Sequence, residues 1–120
     1  MPKAKEVVIA YQQAVGNGEL AAARALLHNN LEFRGPLETF HDADGYLRAI
    51  QKLSSIVERV AVLKVFEDGD DVGLFCELVI RQVGTLFVAE WYHVKQDKIA
   101  SIRVAFDARP FAAMFAKPPA

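Results

Sequence analysis

The feature that most constrains this chain is a change of hydrophobic period near residue 57. Before that point apolar residues recur at spacings of three and four, and after it they alternate with polar ones at a spacing of two. Helices followed by successive strands, rather than alternating with them, are typical of an α+β domain. We therefore expect three helices in the N-terminal half, packed on a curved mixed or antiparallel sheet that wraps around a pocket.

Three helices are predicted in the first half. The first begins near Ala4 and ends at Gly16 and Gly18, because glycine tolerates the backbone conformation that closes a helix. The second starts at Leu20 and is expected to end near His28. A third begins after Asp42 or Asp44, either of which could cap it. A short strand, residues 31–34, is expected between the second and third helices.

Four longer strands are predicted in the second half, over residues 60–66, 72–81, 86–95 and 99–107. The turns between them contain the Gly, Asp and Lys residues that turns favour. Residues 1–120 are predicted to form one domain, with residues 112–120, which contain two of the five prolines, as a tail.

Both faces of the predicted sheet carry large apolar residues. One face carries Leu74, Cys76 and Val88, and the opposite face still carries large residues, namely Phe75, Phe87, Trp91 and His93. An antiparallel sheet normally leaves one face in water, and large aromatic residues there indicate a covering partner. We therefore predict a homodimer formed through the convex sheet face.

Composition excludes several classes of function. With 14 basic and 15 acidic residues, the chain has no excess of positive charge that would favour nucleic acid or an anionic membrane. Cys76 is the only cysteine, so no intrachain disulfide can form, and the three histidines have no metal-ligand spacing. No cofactor or metal is expected. The N-terminus lacks a signal-peptide pattern, which leads us to expect a cytoplasmic protein.

The order of motifs resembles a known superfamily over about residues 5–111. A helix, Gly18-Glu19-Leu20, a second helix, Gly35-Pro36, a third helix and strands with an Asp97-Lys98-Ile99 turn are similar to nuclear-transport-factor-2-like proteins, in the SnoaL-like and ketosteroid-isomerase-like branch. The resemblance implies a cone-shaped, cystatin-like α+β barrel around a pocket, and dimers through the convex sheet face.

The resemblance also implies roles for particular residues. Ketosteroid isomerases use a helix tyrosine and a strand acid as an oxyanion hole, and these places correspond to Tyr11 and Glu90. Their proton-transfer base precedes a proline, where this chain has Gly35 before Pro36. The histidine and aspartate of SnoaL-type cyclases are replaced by Glu90 and Val104. Steroid isomerisation and aldol cyclisation both lose support, and Glu32 or a water would have to supply the base.

Tyr11 and Glu90 are the candidate catalytic residues. A carboxyl group in an apolar pocket resists ionisation and could donate a hydrogen bond to a substrate oxygen beside the tyrosine hydroxyl. The alternatives are that Glu90 pairs with Arg34 or Arg103 and that Tyr11 is a core residue. The residues expected to line the pocket are Phe33, Tyr46, Leu74, Cys76, Val88, Tyr92, Val104 and Phe106.

The sequence leaves two functions open. The first is an enzyme of the isomerase, hydratase or cyclase kind that binds a small apolar carbonyl compound, with its reaction unassigned. The second is a dimer without catalytic activity that binds an apolar ligand or a protein surface in the same cone. Whether the protein is an enzyme is left undecided by the residues, since a fold hosts many activities.

Overall fold

The computed structural model describes residues 3–111. Its elements in chain order are α1 (Ala4–Gly16), α2 (Leu20–Ala25), β1 (Leu27–Arg34), β2 (Thr39–Phe40), α3 (Ala43–Ser54), β3 (Val57–Asp68), β4 (Asp71–Ile80), β5 (Gly84–Lys95), β6 (Lys98–Ala105) and a 3-10 turn (Arg109–Phe111). The predicted tail, residues 112–120, lies outside the described residues. Just before it, Phe111 is buried against the core.

The six strands form one mixed sheet in the order β2-β1-β6-β5-β4-β3. β1 and β6 are parallel, and all other neighbours are antiparallel. Register shifts within the β1–β6, β3–β4 and β5–β6 pairs mark irregularities of the kind that bend and twist strands. The predicted α+β fold with a curved mixed sheet and three helices is confirmed.

The sheet is open, which corrects the expectation of a barrel. β3 is one edge of the described sheet and β2 is the other. β2 has only two residues and pairs with β1 alone, so it cannot bridge to β3 and close the sheet.

The helix boundaries follow from specific local contacts. α1 stops at Gly16, and Gly18 adopts the positive φ of 72° that this junction requires. Asp42, one of the two expected caps, begins α3 by accepting a hydrogen bond from the Gly45 backbone N at 2.8 Å. A side chain at Gly45 would lie 2.8 Å from Asp42 Oδ1, so glycine is what allows this cap.

The start of β1 is where the sequence-based prediction was wrong. His28 lies inside β1 rather than at the end of the second helix, and its Nε2 contacts the Lys95 carbonyl oxygen at 2.6 Å. Leu27 and Leu31 are both fully buried. A spacing of four places two residues on one face of a strand as well as of a helix, so the apolar pattern could not distinguish the two.

The core lies between the helices and the inner face of the sheet. Val72, Leu74 and Cys76 of β4 and Val88 and Tyr92 of β5 are almost completely buried there. They pack with α1 residues such as Val8 and Tyr11, and with Tyr46 of α3, in a single cluster. Glu90 lies on β5 between Val88 and Tyr92, on this same inner face.

Candidate functional site

Glu90 lies within a small polar cluster on the inner face. Its Oε1 accepts hydrogen bonds from the Tyr92 hydroxyl at 2.5 Å and from Gln12 Nε2 at 3.1 Å. Gln12 Nε2 also donates to the Tyr92 hydroxyl oxygen. Oε2 lies 4.0 Å from the Cys76 Sγ, which is a weak donor. Two strong donors therefore converge on Oε1, whereas Oε2 has a single weak donor among the described residues.

Burial governs the electrostatics of this cluster. Desolvation raises the pKa of Glu90 above its ordinary value of 4.5, and the bonds from Tyr92 and Gln12 only partly offset it. Burial, and then the nearby Glu90 charge, raise the pKa of the Cys76 thiol to about 12. Burial also raises the pKa of the Tyr92 hydroxyl, so Tyr92 stays protonated and acts as a donor. The Glu90 pKa moves in the direction that its apolar neighbours suggest.

Tyr11 lies beside this cluster but contacts a different group. Its hydroxyl is 2.8 Å from the hydroxyl of Tyr46, and both side chains are buried. Its ring packs edge-on against Tyr92, with 6.1 Å between centroids. Burial raises the pKa of both the Tyr11 and the Tyr46 hydroxyls. The structure thus brings Tyr11 near Glu90 through Tyr92, with the Tyr11 hydroxyl paired to Tyr46.

An open cleft of about 540 Å³ adjoins Glu90. It forms where β1 diverges from β6, because the ladder between these strands ends at Arg34 and Arg103 while β6 continues. Its lining residues are Arg34, Gly35, Pro36, Ala89, Glu90, Trp91, Arg103, Val104, Ala105 and Phe106. A cleft of this volume can hold a small organic molecule.

The place where the resemblance expects a catalytic base has no side chain. A Cβ atom at Gly35 would lie 3.1 Å from two atoms of the Phe33 ring, so a side chain there would require this ring to shift by a few tenths of an ångström. Glu32, the other candidate base, has its Oε2 2.7 Å from His41 Nδ1, and both side chains are exposed. Neither position supplies a carboxylate to the cleft.

The expected pocket residues divide into two groups. Val104 and Phe106 line the cleft together with Glu90. Phe33 is half-buried and packs on the Tyr46 ring at 4.7 Å. The other expected residues, Leu74, Cys76, Val88 and Tyr92 with Tyr46, are in the closed core. Arg34 and Arg103, expected as alternative ion-pair partners of Glu90, line the cleft, whereas the recorded hydrogen bonds of Glu90 go to Tyr92, Gln12 and Cys76.

Gln12 is the residue that the sequence-based reasoning missed. It follows Ala4 and Val8 at steps of four, so it occupies a position on the apolar stripe of α1. A polar residue at a buried position usually needs a polar partner, and this was the signal available in the sequence. Its partners, Glu90 and Tyr92, lie on a strand nearly eighty residues away, which only the folded chain reveals.

The residues predicted to face a partner subunit lie on the outer face of the sheet. Phe75, Phe87 and Trp91 are 38%, 58% and 50% exposed. Trp91 Nε1 donates to Asp71 Oδ1 at 2.9 Å, and His93 Nδ1 lies 3.0 Å from the same oxygen. These hydrogen bonds lower the pKa of Asp71.

Residues 3–111 contain no cluster of three or more His, Cys, Asp or Glu side chains that could hold a metal ion. No helix within that range is long and apolar enough to cross a membrane.

Known proteins share both the fold and the sequence pattern of this chain. The fold is that of NTF2-like proteins: one such protein of unknown function from Cytophaga hutchinsonii is 26% identical, with a TM-score of 0.83 over 92% of this chain and 96% of that one. The sequence profile described as the SnoaL-like domain matches residues 8–102. The chain belongs to the SnoaL-like domain family.

More distant structures share the fold. An epoxide hydrolase of the LEH-like type from M. tuberculosis is 19% identical, with a TM-score of 0.74 over 88% of this chain and 83% of that one. A hypothetical protein from Catenulispora acidiphila with a ketosteroid isomerase-like fold, in complex with trimethylamine, is 16% identical, with a TM-score of 0.74 over 94% of each chain. No curated protein matches the sequence.

Proposed function

We propose that this protein binds a small, mainly apolar molecule in the cleft beside Glu90, and that Glu90 donates a hydrogen bond to a carbonyl-type oxygen of this ligand. The observation that carries the proposal is the asymmetric environment of the Glu90 carboxyl group. Oε1 already accepts from Tyr92 and Gln12, which makes Oε2 the oxygen that can hold a proton.

A neutral carboxyl group is the chemistry that this environment supports. Desolvation raises the pKa of Glu90, and a protonated acid in an apolar site can stabilise a developing oxyanion. The apolar cleft residues Val104 and Phe106 favour a ligand with an apolar body. The family and fold agree with a small-molecule role, since the chain shares its fold with an epoxide hydrolase and a ketosteroid isomerase-like protein.

The proposal does not include a reaction. Proton abstraction next to a carbonyl needs a base within hydrogen-bond reach of the substrate. Gly35 supplies no carboxylate, and Glu32 is engaged by His41. An isomerase, hydratase or cyclase activity would therefore need a base other than these two residues, and ligand binding without turnover is the simpler function of the same site.

A thermal-shift screen against apolar ketones, lactones and epoxides tests the proposal. The matched variants are Glu90→Met and Glu77→Met, because methionine has no hydrogen-bond donor and Glu77 lies on β4 with its side chain on the opposite face of the sheet. A ligand at a hundred times its Kd stabilises the folded state by about 2.7 kcal/mol. We expect ketone binding that Glu90→Met weakens about tenfold, in line with one lost hydrogen bond.

Two results would contradict this function. Binding that is equal in Glu90→Met and in the wild-type protein would show that Glu90 does not contact the ligand. A screen with no ligand in any class would remove the cleft itself as a binding site. Turnover of a hit, followed by product analysis, would then decide between an enzyme and a binding protein.

We also propose that a second copy of the chain covers the outer face of the sheet. An aromatic strip, defined by Phe66, Phe75, Phe87 and Trp91, crosses this face with ring centroids 5.8 Å apart for Phe66 and Phe75 and 5.6 Å apart for Phe75 and Phe87. Lys64 and Glu77 lie on the same face, opposite Phe75 and Phe87 in the strand ladders. A surface that carries both charge signs can meet its own copy about a twofold axis without forcing like charges together.

Sedimentation velocity over a range of concentrations tests the dimer. Phe87→Glu should shift the protein to monomers, because it buries a charge in the aromatic strip. Leu37→Glu is the control, since Leu37 is an exposed apolar residue outside the strip. A wild-type protein that stays monomeric at the highest concentration would refute the dimer.

A further inference from the structure

Two arginines lie side by side at the edge of the cleft. Arg34 of β1 and Arg103 of β6 are partners in the parallel ladder, so their backbones are separated by about 4.8 Å, the distance between adjacent strands. Both side chains are exposed, and both residues line the cleft. Like charges at opposed positions of neighbouring strands destabilise a sheet unless something neutralises them. An anion bound between the two guanidinium groups would neutralise this pair.

The carboxylates of Glu32, Glu90 and Asp71, on the strands around this pair, contact groups other than Arg34 and Arg103. Glu32, two residues before Arg34, contacts His41. Asp71 accepts from Trp91 and His93. The ion pairs among residues 3–111 join Arg24 to Asp44, His41 to Glu32, His93 to Asp71 and Arg109 to Asp107, and none includes Arg34 or Arg103. The anion is therefore expected to come from outside the described chain.

The aromatic neighbour of Arg103 favours this use. The Arg103 guanidinium lies over the Trp91 ring, 5.8 Å from its centroid. A guanidinium that stacks on a ring keeps its N–H edge available for hydrogen bonds, and this edge matches carboxylate and phosphate oxygens. Arg109 is different, because its guanidinium donates to both carboxylate oxygens of Asp107.

We propose that Arg34 and Arg103 together bind the anionic group of a small ligand, whose apolar body lies in the cleft along Pro36, Val104 and Phe106. This inference rests on the proposed function, because it assigns a second contact to the same cleft. It defines the ligand class as amphipathic acids: a carboxylate or phosphate at one end, an apolar body, and an oxygen that reaches Glu90.

The test compares aryl ketones that differ only in their acidic group. Benzoylpropanoate, its uncharged methyl ester and 2-benzoylethylphosphonate are titrated into the purified protein, and binding is followed by the fluorescence of Trp91, the only tryptophan. The variants are Arg34→Gln, Arg103→Gln and the double variant, with Arg59→Gln as the control, because Arg59 is an exposed β3 residue that does not line the cleft. Because Arg103 lies over the Trp91 ring, Arg103→Gln is expected to change the fluorescence of Trp91 itself. The titrations of this variant are therefore repeated by calorimetry.

We expect benzoylpropanoate to bind more tightly than its ester, and each arginine substitution to weaken it about fivefold to tenfold, the effect of one charge-assisted hydrogen bond at an exposed site. The ester should bind all five proteins equally. Added salt should weaken binding of the acid and leave binding of the ester unchanged. The affinity of the phosphonate relative to that of the carboxylate then indicates which kind of acidic group the site prefers.

The outcomes separate this inference from the proposed function. Equal binding of acid and ester, with loss in Glu90→Met, would refute the arginine site and leave the proposed function intact. Acid binding that depends on the arginines and is unchanged in Glu90→Met would refute the contact with Glu90 and leave the arginine site intact. A double variant that changes only the monomer–dimer equilibrium would assign the arginines to a subunit interface and refute the inference.

Discussion

Glu90 and Asp71 have similar hydrogen-bond partners, yet their pKa values are shifted in opposite directions. Each carboxyl group accepts at one oxygen from an aromatic side chain and from a second donor: Tyr92 and Gln12 for Glu90, Trp91 and His93 for Asp71. Yet the pKa of Glu90 is raised and that of Asp71 is lowered. The difference lies in the face of the sheet. Hydrogen bonds favour the charged form in both cases, and desolvation outweighs them only on the inner face.

The same contrast separates the two aromatic residues that alternate along β5. Tyr92 is 2% exposed and fixed by the core, whereas Trp91 is half-exposed on the outer face. Two consecutive residues of β5 therefore lie in opposite environments, one on the open surface and the other in the packed core. The inner face provides the rigid support for Glu90, and the outer face leaves Trp91 and Arg103 accessible to ligands or to a partner.

The largest expected effect is a difference in stability between these two neighbours. Tyr92→Ala should lower the free energy of unfolding by about 3–5 kcal/mol, because it leaves a cavity in a packed core. Trp91→Ala should cost about 1 kcal/mol, through its hydrogen bond to Asp71 and its contact with Arg103. Urea unfolding at low protein concentration measures both. Tyr92→Phe, which removes only the hydroxyl, separates packing from hydrogen bonding.

An equal cost for the two substitutions would break the comparison. If the cost of Trp91→Ala also increased with protein concentration, the outer face would be buried in a dimer, and the contrast would hold only for the separated monomer.

The next effect is a pH dependence of stability that originates in Glu90. Because its folded-state pKa lies above the unfolded value of 4.5, folding favours the neutral form. The stability contributed by neutral Glu90 is complete below the unfolded value and is lost as pH rises through the folded pKa. Glu90→Gln cannot ionise. The free energy of unfolding of this variant minus that of the wild-type protein should therefore increase across that pH interval, and the difference should remain constant above it.

Urea denaturation at a series of pH values measures this difference. Glu77→Gln, on the outer face of β4, should show no such gain. A wild-type curve that runs parallel to that of Glu90→Gln at every pH would mean that Glu90 titrates normally and is well hydrated.

The sequence predicted the parts of this fold that depend on local periodicity. The alternation along β4 and β5 correctly separated Leu74 and Val88 from Phe75 and Phe87, because a strand turns successive side chains to opposite faces. It could not distinguish the start of β1 from a continuation of α2, since Leu27 lies four residues after Ala23 and four residues before Leu31. The two-residue strand β2 was not predicted, because so short a strand has no periodicity of its own.

The candidate site was predictable only in part. Glu90 stood out as the one charge among apolar inner-face residues, and Tyr92 shares its face two residues away. Gln12 depends on how α1 docks on the sheet, and the cleft depends on where β1 leaves β6 after Arg34. These are contacts between segments far apart in sequence, which no local pattern encodes.

The smallest expected effect comes from Asp71. Its pKa is lowered mainly by the Trp91 hydrogen bond and then by His93, so its contribution to stability is present above the unfolded value of 3.8 and is lost as pH falls through the folded pKa. Asp71→Asn should therefore cost about 0.2–1 kcal/mol at neutral pH, as expected for a solvent-exposed pair, and nothing in strong acid. Chemical denaturation at neutral and acid pH measures both values, with Asp70→Asn in the same turn as the control. A cost that persists in strong acid would show that Asp71 stabilises the fold through packing rather than through its charge. The opposite pKa shifts of Asp71 and Glu90 would then not produce opposite pH dependences of stability.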